Sequence, residues 1–203
     1  MSMVQPIENL RRRAWGRFIG TFALAILAQL LVLPLAAQQL PMLRDTALIE
    51  AARIGDIASL RAAHANGQSV RAMGRNGQTA LHVASQWGQP EAVAALLQMG
   101  APPDKRAGDG HTALSYAVSF GHTTIVEQLL KAGADVDRPG PNYEPPLVMA
   151  ARLGRADISA KILAANPMLD ETDSTGRTAM DWARNARHPK IVAQLQAALQ
   201  GAQ

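Results

Sequence analysis

The residues of this 203-residue chain best suited to chemistry are its five histidines, His64, His82, His111, His122 and His188. An imidazole can move a proton near neutral pH or hold a metal. The spacing supports neither use, because no His-x-x-x-His pair and no His-Glu pair occurs. Ser85, Ser115 and Ser119 lack the Gly-x-Ser-x-Gly turn that presents a nucleophile. No glycine-rich phosphate loop is present, and Gly108-Asp-Gly110 reads as a turn. Zero cysteine removes thiol nucleophiles, thiolate metal sites and a disulfide framework, and leaves the redox compartment open. The residues therefore predict no enzyme, no cofactor and no metal site. An enzyme subunit with an unrecognised site is the alternative.

Hydrophobic residues make up 48% of the chain, too many for a disordered segment. The length allows one domain or a short repeat array. The formal charge of +4 is unevenly placed. Residues 1–37 hold Arg11, Arg12, Arg13 and Arg17 against Glu8, a net of +3, which leaves +1 for the remainder. A nucleic-acid binder needs a basic face to neutralise several phosphates, and this body offers none, so no nucleic-acid partner is expected.

The elements that must position any site repeat every 33 residues. Thr46-Ala-Leu48 is followed by Thr79-Ala-Leu81, Thr112-Ala-Leu114, Pro145-Pro-Leu147 and Thr178-Ala-Met180. The same step links Ala51, Ala84, Ala117, Ala150 and Ala183, and separately Gly55, Gly88, Gly121 and Gly154. It also links Gly67, Gly100 and Gly133, with Asn166 in the fourth place. Each column has a mechanical role. Thr caps the first turn of a short helix. Leu and Ala three residues apart share a helix face, and the small Ala keeps two helices close. The two glycine columns end a first and a second helix in the left-handed conformation, which Asn also tolerates. Asn76-Gly77, Asp109-Gly110 and Thr175-Gly176 are turn signals between repeats.

On these residues the chain resembles the ankyrin repeat proteins. Asn76-Gly-Gln-Thr-Ala-Leu-His82 and Asp109-Gly-His-Thr-Ala-Leu114 are similar to the family's Gly-x-Thr-Pro-Leu-His block. Gly121-His122 and Leu129-Leu-Lys-Ala-Gly-Ala-Asp-Val-Asp137 match its second half. The resemblance implies an all-α fold: an ankyrin-repeat solenoid of about five helix–loop–helix repeats with projecting hairpin loops. An N-terminal hydrophobic helix is expected before it. The repeat domain is expected over 46–200, with repeats near 46–72, 73–105, 106–138, 139–171 and 172–200. The resemblance further implies a non-catalytic protein–protein interaction module, a scaffold or adaptor acting as a monomer, and structural roles for His82 and His122. Asp135 and Asp137 fall in a loop where carboxylates are solvated. The fourth repeat carries Tyr143 in place of the turn glycine and Pro139, Pro141, Pro145 and Pro146 around it, which predicts a stiff, differently shaped loop. In the fifth, Arg187 replaces glycine, and Gln194, Gln196 and Gln200 mark the polar outer helix of a terminal cap.

Before the repeats, an apolar run from Phe18 to Ala37 follows the arginine cluster and ends in Leu35-Ala-Ala37. A basic start, an apolar middle and a small-residue exit describe a secretory signal peptide, cleaved after Ala37, with 38–45 as a short linker. The twenty residues of this uncharged run also suffice for an uncleaved membrane anchor. Either reading carries the repeats across the cytoplasmic membrane, to a periplasm or to its outer face. Any membrane contact is then confined to residues 18–37, uncleaved.

In the family pattern the residue before the first-helix glycine lies near the concave side. That column reads Ile54, Trp87, Phe120, Leu153 and Ala186, flanked by Arg53, Gln86, Ser119, Arg152 and Asn185. The loop tips add Arg75, Asn76, Gln78, Asp109, His111, Tyr143, Glu144 and Arg177. The candidate partner-binding residues are these tips together with Gln86, Trp87, Ser119, Phe120, Arg152 and Leu153. The competing expectation is that the large apolar column packs under neighbouring loops as core.

Overall fold

The structure is a computed structural model that describes residues 45–201. Among the described residues, ten α-helices form five pairs. The first helices are α1 Ala47–Ile54, α3 Ala80–Gln86, α5 Ala113–Phe120, α7 Pro146–Arg152 and α9 Ala179–Asn185. The second helices are α2 Ile57–Ala65, α4 Pro90–Gln98, α6 Thr123–Lys131, α8 Ala156–Leu163 and α10 Pro189–Gly201. First helices pack on first helices of the next repeat, and second on second, giving two parallel rows. No strand occurs among the described residues; Thr172 and Thr178 make one isolated bridge. The signal or anchor segment and residues 38–44 of the expected linker lie outside the described residues. Asp45, the last linker position, already accepts a hydrogen bond from the Arg75 amide at 3.0 Å.

The 33-residue columns become layers of core. Leu48, Leu81, Leu114 and Leu147 are buried, as are Ala51, Ala84, Ala117, Ala150 and Ala183. Leu96, Leu129, Ile162 and Leu195 continue the layer along the second helices. Burying one such leucine stabilises by about 1.5–3 kcal/mol, and in a stack much of that burial is against the neighbouring repeat.

The threonines cap as expected, and the residue three places on completes the cap. The Thr79 amide donates to His82 Nδ1 (3.0 Å), the Thr112 amide to Ser115 Oγ (2.9 Å) and the Thr178 amide to Asp181 Oδ2 (3.0 Å). In the fourth repeat Pro145 takes the cap position and has no amide to satisfy, so apolar Val148 stands in the third place.

The first-helix glycines have a second reason beyond their left-handed φ. A Cβ at Gly88 (φ +70°) would stand 2.6 Å from the His122 ring of the next repeat. At Gly121 (φ +83°) it would meet the Arg155 guanidinium at 3.0 Å. Arg187 holds φ +58° at the same position in the fifth repeat.

Hairpin fingers project between repeats, each closed by an amide-to-carbonyl bond: Gly74 to Gln78 (2.8 Å), Ala107 to His111 (2.8 Å), Gly140 to Glu144 (2.9 Å) and Asp173 to Arg177 (3.1 Å). The fourth finger thus keeps the common closure and differs at its tip. There Pro141–Tyr143 makes a 3₁₀ turn, with Asn142 and Tyr143 both at φ +56°. One expectation needs correction. Asp137 is not a solvated loop carboxylate: it is half-buried and accepts from the Met168 amide at 3.0 Å, tying the third repeat to the fourth. Burial, the largest influence on it, pushes its pKa up.

Candidate protein-binding surface

The first four first helices each end in one large apolar residue left substantially exposed. Ile54 is 57% exposed, Trp87 54%, Phe120 52% and Leu153 37%, and Ala186 is exposed at the end of the series. This decides against the core reading of the column. The cause is geometric: the residue sits where the helix gives way to its αL turn, past the face that packs on the next repeat. Two neighbours brace the aromatic rungs. The Arg53 guanidinium lies 5.5 Å from the Trp87 ring centre, and the Phe120 and His122 rings are nearly parallel with centroids 6.4 Å apart.

His122, expected from the resemblance to be structural, and Gln89 and Arg155, which sequence reasoning missed, link one rung to the next. Gln89, His122, Arg155 and His188 form their own 33-residue column, directly after the helix-ending glycine or, in the fifth repeat, Arg187. Gln89 Nε2 donates to the Arg53 carbonyl (3.3 Å), His122 Nε2 to the Gln86 carbonyl (3.1 Å) and Arg155 to the Ser119 carbonyl (3.5 Å). Each bond satisfies a carbonyl at the end of the preceding first helix. The step of 33 was the available signal.

The finger residues fall into two groups. Several are spent on holding the fingers. Gln78 Nε2 donates to Gln86 Oε1 (3.1 Å) and to the Tyr116 hydroxyl (2.6 Å), and that hydroxyl donates to Asp109 Oδ2 (2.5 Å). His111 stacks on Tyr116 with centroids 4.3 Å apart, and its Nδ1 lies 2.9 Å from Ser115 Oγ. Buried Tyr116, which sequence reasoning did not single out, is therefore the post to which the second and third fingers are tied. Burial first, and then the Asp109 carboxylate, push its pKa far above the phenol range, so it remains a donor. Glu144 receives both Nε and Nη2 of Arg152 at 2.6 and 2.9 Å, pinning the fourth finger. Ser119 is half-buried and its hydroxyl donates to Met149 Sδ at 3.0 Å.

The other group faces solvent. Tyr143 is 76% exposed at the fourth tip, Asn76 is exposed at the second, and Arg75 is exposed beside it with its amide on Asp45. Arg177 is exposed in the fifth finger and lies over the Trp182 ring at 4.9 Å, while Trp182 Nε1 donates to Asp173 Oδ2 (2.8 Å).

The family model described as ankyrin repeats (3 copies) matches residues 24–107, 48–140 and 114–202. The chain belongs to the ankyrin repeat family. No curated protein matches it as a relative. As in the family, His82 is structural: it is 1% exposed, accepts from the Thr79 amide and donates Nε2–H to the Lys105 carbonyl at 2.7 Å. Burial holds its pKa below the ordinary imidazole range. Among the described residues of this ankyrin protein, no three His, Asp or Glu side chains group as a metal site, and no helix is long and apolar enough to cross a membrane. A concavity of about 680 Å³ between the end of α8 and α10, lined by Leu163, Pro167, Leu169 and Leu199 among others, contains none of the candidate residues.

Proposed function

We propose that this ankyrin protein is a non-catalytic scaffold or adaptor that captures a protein partner on the ladder Ile54, Trp87, Phe120 and Leu153. The observation that carries the reading is the exposure of four large apolar side chains in one 33-residue column. Repeat arrays present extended concave surfaces, and desolvated aromatics near the middle of an interface are the usual hot spots. Trp87 and Phe120 are the anchors. Asn76, Tyr143 and Arg177 at the finger tips set specificity, and Gln78, Asp109, His111, Glu144 and Arg152 keep those tips in place. The fingers are fixed before binding, which lowers the ordering cost of association. Capture of partner by Trp87→Ala and Phe120→Ala, each checked for fold by circular dichroism, tests the reading. Unchanged helicity with a loss of about 2 kcal/mol in binding supports it. Unchanged capture by both variants refutes it.

We further propose that the repeats act outside the cytoplasm of the cell, exported by the arginine-led apolar run at Phe18–Ala37 as signal or anchor. A specific observation favours a rival reading. The family match begins at residue 24, inside that run. Ile26, Leu27 and Leu30 stand 99 residues, three repeats, before Ile125, Val126 and Leu129 of α6. On that reading the run is the opening half-repeat of the array and not an export signal. The N-terminus of the protein isolated from its host decides. A start at Gln38, or a reporter fused after Gln203 active only outside the cytoplasm, supports export; an intact N-terminus with cytoplasmic activity alone supports the half-repeat.

A further inference from the structure

The edge of the ladder carries a charge gradient. The side chains that follow the helix-ending turn run Asp56, Gln89, His122, Arg155 and His188, with Arg187 filling the glycine position of the fifth repeat. Asp56 at the first end is spent on capping α2 through Ser59. Gln89 and His122 are taken up with the carbonyls of the preceding repeat. Arg155 and Arg187 at the far end are exposed and form no ion pair among the described residues. The Arg155 guanidinium lies against Gly121, the residue after Phe120, and donates to the Ser119 carbonyl at 3.5 Å, so the first cation without an ion pair sits beside the central aromatic rung. Beside the ladder Arg53 is neutralised by Glu50 and Arg152 by Glu144, while Arg177 in the fifth finger, at the same far end as Arg187, lies over the Trp182 ring and forms no ion pair among the described residues. Apolar rungs with unanswered positive charge at one end only make a surface with polarity.

We infer that the occupant of the ladder is an extended peptide segment with two apolar anchors and, on one side of them, acidic residues that meet Arg155 and Arg187. This rests on the binding role proposed for the ladder. Rows of packed helices lie about 10 Å apart, and an extended chain in the polyproline II conformation, which rises about 3.1 Å per residue and turns once in three residues, covers that distance in about three residues and brings both side chains to one face. The anchors for Trp87 and Phe120 therefore stand three apart, and the acids fall within about six residues beyond the second anchor, a span of about 20 Å across two repeats.

The test is selection of a random-peptide display library on the full chain. Binders are then re-assayed on Trp87→Ala and on a double Arg155→Glu, Arg187→Glu variant whose fold is checked by circular dichroism. The expected result is enrichment of apolar pairs spaced by three with Asp or Glu on one side, and about tenfold weaker binding to the charge-reversed variant. Selection on that variant itself is expected to yield Lys or Arg in place of the acids. Binders that need Trp87 but show no acidic bias overturn this inference and leave the binding role of the ladder standing. Binders indifferent to Trp87, or no enriched peptide, overturn both.

Discussion

At the scale of single residues, the two glycine columns separate by what a side chain would meet. Gly100 has a left-handed φ of +79° and open space around it, whereas Gly88 also seats the His122 ring. Gly100→Ala is expected to cost about 1–2 kcal/mol, the price of αL for an ordinary residue. Gly88→Ala is expected to cost at least about 1 kcal/mol more, because the next repeat must shift. Urea titration of the two variants measures the difference, and equal losses would remove the proposed seat. His82 supplies a pH dependence. Its folded pKa is held low by burial, so the unfolded chain takes up a proton near pH 6.5 that the folded chain resists. Its contribution is intact above that pH and is lost as pH falls toward the lower folded value. The urea midpoint should therefore fall between about pH 7.5 and about pH 5.5, and fall less in His82→Gln. Some drop should persist, because burial also holds His111 low. An undiminished drop in His82→Gln would contradict the assignment. The capping threonines and αL glycines were legible in the sequence because each answers a local backbone need. The seat under Gly88 was not, because its reason lies one repeat away.

At the scale of elements, each finger depends on a side chain that stands on a helix. Tyr116 on α5 holds two fingers through Gln78 and Asp109. Tyr116→Phe keeps the buried ring and deletes one hydroxyl that serves both bonds. Hydrogen exchange of the Gly74, Gly77, Ala107 and Gly110 amides should rise about tenfold, while helix amides such as those of Leu96 and Leu129 keep their protection, since fingers open locally. Equal acceleration everywhere would mean that Tyr116 supports the stack and not the fingers. The helix pairs and their ends were legible because period, caps and turn glycines agree. The tying of the fingers was not, since Gln78 and Tyr116 lie 38 residues apart and nothing local joins them. The fourth finger shows the same limit: its prolines announced a different tip, and the closing bond to Glu144 came from the hairpin geometry it shares with the others.

At the scale of the whole molecule, stability belongs to neighbours. Leu114 in the central repeat is 1% exposed and Leu199 near the end is 46% exposed. Leu114→Ala should cost about 2–5 kcal/mol and Leu199→Ala clearly less. A larger loss at Leu199 in denaturation curves would contradict the stacked account. The column Ile54, Trp87, Phe120 and Leu153 could be found in the sequence, but its exposure could not. Large apolar residues at helical positions are core as often as surface, and only the αL turn that follows carries these four clear of their neighbours. The central claim is that this exposed ladder is where a partner docks. Its most direct test places a photo-crosslinking amino acid at position 120 of the full chain, in its native host, and for comparison at Gln98 on the second-helix row. The account predicts a discrete crosslinked protein from position 120 and none from position 98. A crosslink from position 98 alone, or equal patterns from both, would place the binding face elsewhere.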